Sequence, residues 1–193
     1  MEIKKVLIET SARHIHISKD DLETLFGEGY ELKVKKYLSQ PGEFISEDKL
    51  TIVGPKKEIS GVSILGPCRK LTQIEISATD CRTLGIEIVV RESGNISNTP
   101  GCKLIGPNGE LVLNQGVIVA KRHIHATTKD ANEHCLYNNQ IVGVEVINDS
   151  RSIIYNDVVV RVSDNYTFAM HVDTDESNAG LLGVNSYGRI IKY

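Results

Sequence analysis

The sequence predicts a mainly β protein made of two similar halves, because its apolar runs are short, turn residues separate them, and one motif occurs twice. Most of these runs are β-branched and about four to seven residues long, which is typical of strands. Many short strands joined by tight turns favour barrels or sandwiches over a parallel α/β sheet. The few predicted helices are short and lie at about residues 19–26, 79–84, 129–135 and 175–182.

The predicted strands are bounded by turn residues such as Gly54-Pro55 and Asn148-Asp149. They lie at Val6–Ile8, Leu50–Val53, Val62–Leu65, Thr72–Ile76, Ile86–Val90, Leu111–Leu113, Val117–Ala120, Ile141–Ile147, Ser152–Tyr155, Val158–Val162 and Phe168–Val172.

The repeated motif reads Arg-His-Ile-His and occurs at residues 13–16 and 122–125, an interval of 109 residues between His14 and His123. Each copy follows an apolar run and precedes a helix-capping pattern, Ser18-x-x-Asp21 or Thr127-x-x-Asp130. The repeat predicts two similar subdomains related by an approximate two-fold axis, with their histidine pairs meeting at the boundary. That boundary falls near residues 115–122, unless the halves exchange strands and the domains are discontinuous.

The repeated histidines predict metal binding. In a strand, side chains at i and i+2 leave the same face, so each copy presents two imidazoles together and turns its isoleucine inward. Imidazole is a common ligand of zinc and similar divalent ions, and two pairs allow either one closed four-histidine site or two open sites. Glu75, a charge within an apolar strand, and His171, at the end of a strand, are further candidates, whereas His134 receives no role.

Arg69 follows the turn Gly66-Pro67 and precedes Glu75 by six residues. A guanidinium beside a divalent ion is a good receptor for phosphate or another oxyanion. Arg13 and Arg122 point to the opposite strand face from the first imidazole, so we expect them in packing or ion pairs.

Composition excludes several classes of function. The net charge of −3 provides no cationic surface for nucleic acid, and no apolar run is long enough to span a bilayer. The four cysteines form no Cys-x-x-Cys pair, so we expect reduced thiols and a cytoplasmic protein.

Seven ordered motifs resemble those of the PduL-type phosphate acyltransferases (phosphate propanoyltransferases) of bacterial propanediol degradation and related metabolism. The motifs lie at residues 13–18 (RHIHIS), 38–42 (LSQPG), 65–69 (LGPCR), 73–77 (QIEIS), 91–94 (RESG), 120–125 (AKRHIH) and 170–176 (MHVDTDE).

The resemblance implies a fold of two pseudo-symmetric β-barrels capped by short α-helices. One barrel would comprise residues 1–12 with 121–193, the other residues 13–120, and the metal site would lie at their interface. The resemblance also implies a homodimer. Because the first strand begins near Met1, we expect no N-terminal extension that targets the protein to a microcompartment.

The resemblance assigns two divalent ions, zinc in most members, and it assigns the substrates acyl-CoA and phosphate. By position, His14, His16 and Glu75 would bind one ion, and His123, His125 and His171 the other. Arg69 would handle phosphate, and coenzyme A would contact Ser11, Lys36, Leu65 and Asn178. Ala78 stands where the family frequently has arginine, so a secondary anion contact is not expected there.

The implied reaction exchanges coenzyme A for phosphate on a short acyl group by direct attack of phosphate, without an acyl intermediate on Cys68. A cupin-like metal oxygenase remains an alternative, although its motif needs glutamate where this chain has Asp20 and Lys129. A non-catalytic β-barrel module clamped by structural zinc is a second alternative. Acetyl and propanoyl groups are not distinguished, since one methylene is worth only about 1–3 kcal/mol.

Overall fold

The computed structural model describes residues 5–193, so residues 1–4 of the predicted first barrel lie outside the described residues. The protein is mainly β, with 43% strand and 15% helix, which confirms the predicted fold class. It divides into two compact units. Unit 1 comprises the chain up to Ser11 together with Lys121–Tyr193, and unit 2 comprises Ala12–Ala120.

The elements follow one another along residues 5–193 in this order: β1 Lys5–Thr10, β2 His14–His16, α1 Lys19–Phe26, β3 Val34–Tyr37, β4 Phe44–Val53, β5 Glu58–Gly66, β6 Gln73–Glu75, α2 Ala78–Leu84, β7 Val90–Arg91, β8 Cys102–Ile105, β9 Glu110–Leu113, β10 Val117–Ala120, β11 His123–Ala126, α3 Thr128–His134, β12 Ile141–Val146, β13 Ile153–Val162, β14 Ala169–Val172, α4 Thr174–Ala179 and β15 Ser186–Ile191.

Unit 1 is a closed barrel in which the described strands follow the order β1-β14-β11-β13-β12-β15. β1 comes from the start of the chain, yet it pairs parallel with β14 and antiparallel with β15. Its side chains alternate, and Val6 and Ile8 point into the core with Ile124 and Met170. Burial of these apolar side chains stabilises the barrel.

Unit 2 is a curled half-barrel sheet in the order β7-β10-β6-β2-β5-β4-β8-β9, with β3 pairing β4 at the side. Its core contains Ile15, Leu25, Ile64 and Leu104, and α1 and α2 pack residues against it. Gly101 lies so close to the neighbouring strand that an added Cβ would be 1.9 Å from the Leu113 carbonyl oxygen. Only glycine fits there without displacing the backbone.

Side-chain caps explain where the four described helices begin. Ser18, Ser77, Thr127 and Asp173 each accept a hydrogen bond from the backbone N–H three residues on. The predicted helix starts lie within one residue of the observed ones. The last helix ends at Ala179, before the predicted residue 182. Within residues 5–193, none of the helices combines the length and the apolar character that crossing a membrane requires.

Three parts of the strand prediction differ from the structure. The predicted strand Ile86–Val90 is irregular up to its last residue, where the two-residue β7 begins. The predicted strands Ser152–Tyr155 and Val158–Val162 are one continuous strand, β13, in which Asp157 adopts a positive φ of 58°. β3, β8 and β15 were not predicted. β3 reads Val-Lys-Lys-Tyr and is exposed along its whole length, so it carries little apolar signal.

Replacing Asp48 should destabilise unit 2. Its carboxylate accepts hydrogen bonds from Tyr30 Oη (2.6 Å), Ser46 Oγ (2.6 Å) and the Lys33 backbone N–H (2.9 Å). Burial alone would raise the pKa of Asp48, but these bonds outweigh it and hold the pKa below its usual value. The charged carboxylate therefore contributes stability above the unfolded-state pKa of about 3.9, and that contribution is lost as the pH falls through the lower folded-state value.

We expect Asp48→Asn to lower the free energy of unfolding at pH 7 by about 1–3 kcal/mol, and the difference from wild type to shrink below about pH 4. Urea unfolding across this pH range measures both. Glu47→Gln, the same change at the exposed neighbouring residue, is the matched control. A pH-independent loss for Asp48→Asn would contradict the argument.

Candidate active site

The first candidate ligand group, the unit 2 trio, consists of His14, His16 and Glu75, all buried. β2 pairs antiparallel with β6, and His14 lies directly opposite Glu75. Ile15 points the other way into the core, where it is fully buried. The pleat therefore directs both imidazoles and the carboxylate to one face of the sheet.

The ligand atoms of the unit 2 trio lie close together. The Nε2 atoms of His14 and His16 are 3.1 Å apart, and each lies 3.6 Å from one carboxylate oxygen of Glu75. Zinc bonds to nitrogen and oxygen are about 2.0–2.2 Å long, so a tetrahedral ion spaces its ligand atoms about 3.3 Å apart. The observed separations lie on either side of that value. The trio therefore fits a divalent ion in both spacing and donor chemistry.

Hydrogen bonding, burial and neighbouring charges influence the protonation of the unit 2 trio. Nδ1 of His14 lies 2.9 Å from the Ala12 carbonyl oxygen, which can only accept, so the neutral ring carries its proton on Nδ1 and has its lone pair on Nε2. Burial lowers the pKa of His16. Burial alone would raise the pKa of Glu75, but nearby His14 and hydrogen bonds with His16 and Ser93 hold it well below its usual range.

The second candidate ligand group, the unit 1 trio, consists of His123, His125 and His171, whose ligand nitrogens lie within 4.8 Å of one another. β11 pairs antiparallel with β14, so His123 lies opposite His171, as His14 lies opposite Glu75 in unit 2. His123 Nδ1 is 2.9 Å from the Lys121 carbonyl oxygen, which again leaves Nε2 for a ligand. The two copies of the motif thus have the same strand pairing, and in each the Nδ1 of the first histidine lies at a backbone carbonyl.

The repeat extends beyond the Arg-His-Ile-His motif to the third ligand, a relationship that the sequence analysis missed. Glu75 is followed by the helix cap Ser77 and by Asp80, and His171 is followed by the cap Asp173 and by Glu176. An interval of 96 residues separates Glu75 from His171, Ser77 from Asp173 and Asp80 from Glu176. A search of the sequence for a second repeat interval would have found this relationship, although glutamate in one copy replaces histidine in the other.

Arg13 and Arg122, the residues expected in packing or ion pairs, do form ion pairs. Arg13 donates two hydrogen bonds to Asp80, Nε to Oδ2 at 2.9 Å and Nη2 to Oδ1 at 2.8 Å. Arg122 Nε lies 2.7 Å from Glu176 Oε1. In each unit the arginine before the first histidine therefore holds the helix that follows the third ligand. We call these two contacts the arginine braces.

Arg69 lies near the unit 2 trio. Its backbone N–H donates to the Ile17 carbonyl (2.8 Å), and its guanidinium donates to Glu43 Oε1 (3.1 Å) and to Ser93 Oγ (3.3 Å). Its positive charge adds to the effect of burial in lowering the pKa of His16. The sequence analysis assigned no role to Ser93 or Glu43, although residue 93 lies in the polar motif RESG.

The residues expected to contact coenzyme A fall into two pairs. In unit 2, Lys36 on β3 and Leu65 on β5 both lie opposite Ile45 of β4, so they share one face of the sheet. In unit 1, the Ser11 N–H donates to the Val172 carbonyl (2.8 Å). Asn178 is exposed on α4.

Cys68, next to Arg69, is exposed, and desolvation still raises the pKa of its thiol. The thiol form therefore predominates at neutral pH, which disfavours Cys68 as a nucleophile.

Comparison with known proteins places this chain among the acyltransferases. Residues 7–183 match the model of the phosphate propanoyltransferase family. The phosphate propanoyltransferase of Thermotoga maritima is 48% identical over 188 residues, which cover 97% of this chain and 90% of that protein. The corresponding proteins of Listeria monocytogenes and Salmonella typhimurium are 47% and 43% identical, over 97% and 99% of this chain and 87% and 91% of their own lengths. The chain belongs to the phosphate propanoyltransferase family.

Breaking an arginine brace should destabilise the protein. In Arg13→Gln, the buried carboxylate of Asp80 loses two charged hydrogen bonds, while the half-exposed Arg13 side chain limits the cost through solvent screening. We expect a loss of about 1–2 kcal/mol in the free energy of unfolding, measured by urea denaturation. Arg151→Gln, at an exposed arginine, is the control. Equal stability of the two variants would show that the brace contributes nothing.

Proposed function

We propose that the protein exchanges coenzyme A for phosphate on a short-chain acyl group: acyl-CoA + phosphate ⇌ acyl phosphate + CoA. Family membership supports this reaction over a cupin-like oxygenase or a non-catalytic zinc clamp. The structural observation that carries the proposal is the hydrogen-bonded chain from Arg69 through Ser93 to Glu75. It links a group that can bind an oxyanion to a buried set of metal-type ligands.

Each trio, in this proposal, holds one divalent ion, and zinc matches best because the donors are imidazole nitrogens and a carboxylate. A bound ion would act as a Lewis acid and stabilise negative charge that develops on the thioester oxygen. His14 and His123 are already held by backbone carbonyls with Nε2 available, so little reorganisation is needed to bind it.

Arg69 is proposed to bind phosphate. A guanidinium has five N–H donors, and among residues 5–193 Glu43 and Ser93 take one each, which leaves three for phosphate oxygens. A phosphate oxygen held in this way attacks the thioester carbon, a C–O bond forms, the C–S bond breaks, and the thiolate leaves and takes up a proton. The contribution of Arg69 is to orient the nucleophile.

The acyl group is proposed to be propanoyl, following the names of the relatives. Lys36, Leu65, Ser11 and Asn178 are proposed to contact coenzyme A, and the cationic Lys36 suits its phosphate groups. The homodimer, the cytoplasmic location and the absence of nucleic-acid or membrane partners stay predictions.

The reaction is tested by following free thiol released from propanoyl-CoA by zinc-loaded protein with and without phosphate. We expect release to require phosphate, and Arg69→Ala to lower kcat/KM for phosphate by about 100-fold, since a charged donor to the reacting group is lost. Arg82→Ala, at an exposed arginine of α2, should behave like wild type. Thiol release without phosphate would indicate a hydrolase. Unchanged kinetics of Arg69→Ala would show that Arg69 does not take part in the reaction.

Metal binding is tested separately by elemental analysis and chelator competition. We expect about two zinc ions per chain in wild type, and about one in His14→Ala and in His123→Ala, because each variant disables one trio. His134→Ala, outside both trios, is the control. Zinc affinity should fall at acid pH, where protons compete for the imidazoles. For His16 this competition begins below the ordinary histidine pKa of about 6.5, since burial lowers its pKa. Full zinc content in His123→Ala would show that the unit 1 trio is not a zinc site.

A further inference from the structure

Ser93 lies where three side chains of unit 2 converge. Its hydroxyl donates to Glu75 Oε1 at 2.7 Å and accepts from Gln73 Nε2 at 3.0 Å and from Arg69 Nη1 at 3.3 Å. We infer that Ser93 is a positioning residue that fixes the Arg69 guanidinium relative to Glu75. The inference rests on the proposed function, in which Arg69 binds phosphate and Glu75 binds a metal ion.

The direction of each hydrogen bond follows from the chemistry of the groups. A charged carboxylate only accepts and a guanidinium only donates, whereas a hydroxyl has one hydrogen and two lone pairs. The Ser93 hydrogen must therefore point to Glu75, and its lone pairs face Arg69 and Gln73. All hydrogen-bonding capacity of this hydroxyl is used, so the three neighbours hold it in one orientation.

Gln73 holds Ser93 in place from the other side. It is buried on β6, directly opposite His16 of β2. Its Nε2 donates to Glu75 Oε1 at 2.6 Å, and its Oε1 accepts from the Gly94 N–H at 2.7 Å. The segment that follows β7 is thereby attached to the strand that carries Glu75. A buried sheet residue thus helps to fix the position of Ser93.

Loss of the hydroxyl should affect phosphate and metal but not acyl-CoA. Without Ser93, the guanidinium of Arg69 keeps only Glu43 as a described side-chain partner and can turn toward it. Phosphate would then meet misaligned donors, while contacts with acyl-CoA are unchanged. Glu75 would also lose a donor that holds its carboxylate, and loss of such an outer hydrogen bond typically weakens metal binding about 10–100-fold.

The test compares Ser93→Ala and Ser93→Thr with wild type and with Ser97→Ala, the same change at an exposed serine of the same loop. We expect Ser93→Ala to raise KM for phosphate by about tenfold or more, with KM for acyl-CoA unchanged. Zinc affinity, from chelator competition, should fall in Ser93→Ala. Ser93→Thr keeps a hydroxyl and should recover most of both losses. Urea unfolding of each variant identifies a purely structural effect.

Equal changes in both KM values, or no recovery in Ser93→Thr, would overturn the inference. If wild type releases no thiol with phosphate, the proposed function fails, and calorimetry of inorganic phosphate binding to the zinc-loaded protein decides the role of Ser93. Weaker phosphate binding in Ser93→Ala alone would support it. Equal binding in all four proteins, or no binding in any, would overturn it.

Discussion

The structure depends on two antiparallel strand pairs, β2 with β6 and β11 with β14. In each pair the isoleucine between two histidines enters an apolar core, and this fixes which face the imidazoles leave. The residue opposite the first histidine then supplies the third ligand atom. Because side chains alternate with a period of two, a slip of one residue would turn the isoleucine to the ligand face and the histidines into the apolar core. The strand register that packs the isoleucines into the core therefore also determines the ligand geometry.

The two trios differ in where their negative charge lies. In unit 2 the carboxylate belongs to the third ligand, Glu75, and its neighbour in register on β10 is Ile118. In unit 1 the third ligand is His171, and its neighbour in register on β1 is Glu9, whose Oε2 lies 3.9 Å from His171 Nδ1. A carboxylate behind a histidine orients the ring and raises its basicity. Each trio thus has a nearby carboxylate, which is a member of the trio in unit 2 and lies behind the third ligand in unit 1.

Much of this organisation could be predicted from the sequence, because it depends on local chemistry. The helix starts follow from local caps, because each capping side chain bonds to a backbone N–H only three residues away. The caps are Ser18, Ser77, Thr127 and Asp173. The contribution of Ser93 could not be predicted, because its partners lie up to 24 residues away and meet it only through sheet pairing. The exposed strand β3 was missed for a related reason. Its pairing with β4 holds it in the sheet, whereas its own composition does not indicate a strand.

The position of β1 in unit 1 sets the order in which parts of this protein can fold during synthesis. Residues 12–120 contain every described strand of their own sheet, so that sheet can assemble once they have left the ribosome. β1 is translated before the strands of unit 2, yet its partners β14 and β15 are translated after them. β1 must therefore wait, with Val6 and Ile8 unshielded, until β14 and β15 have been made.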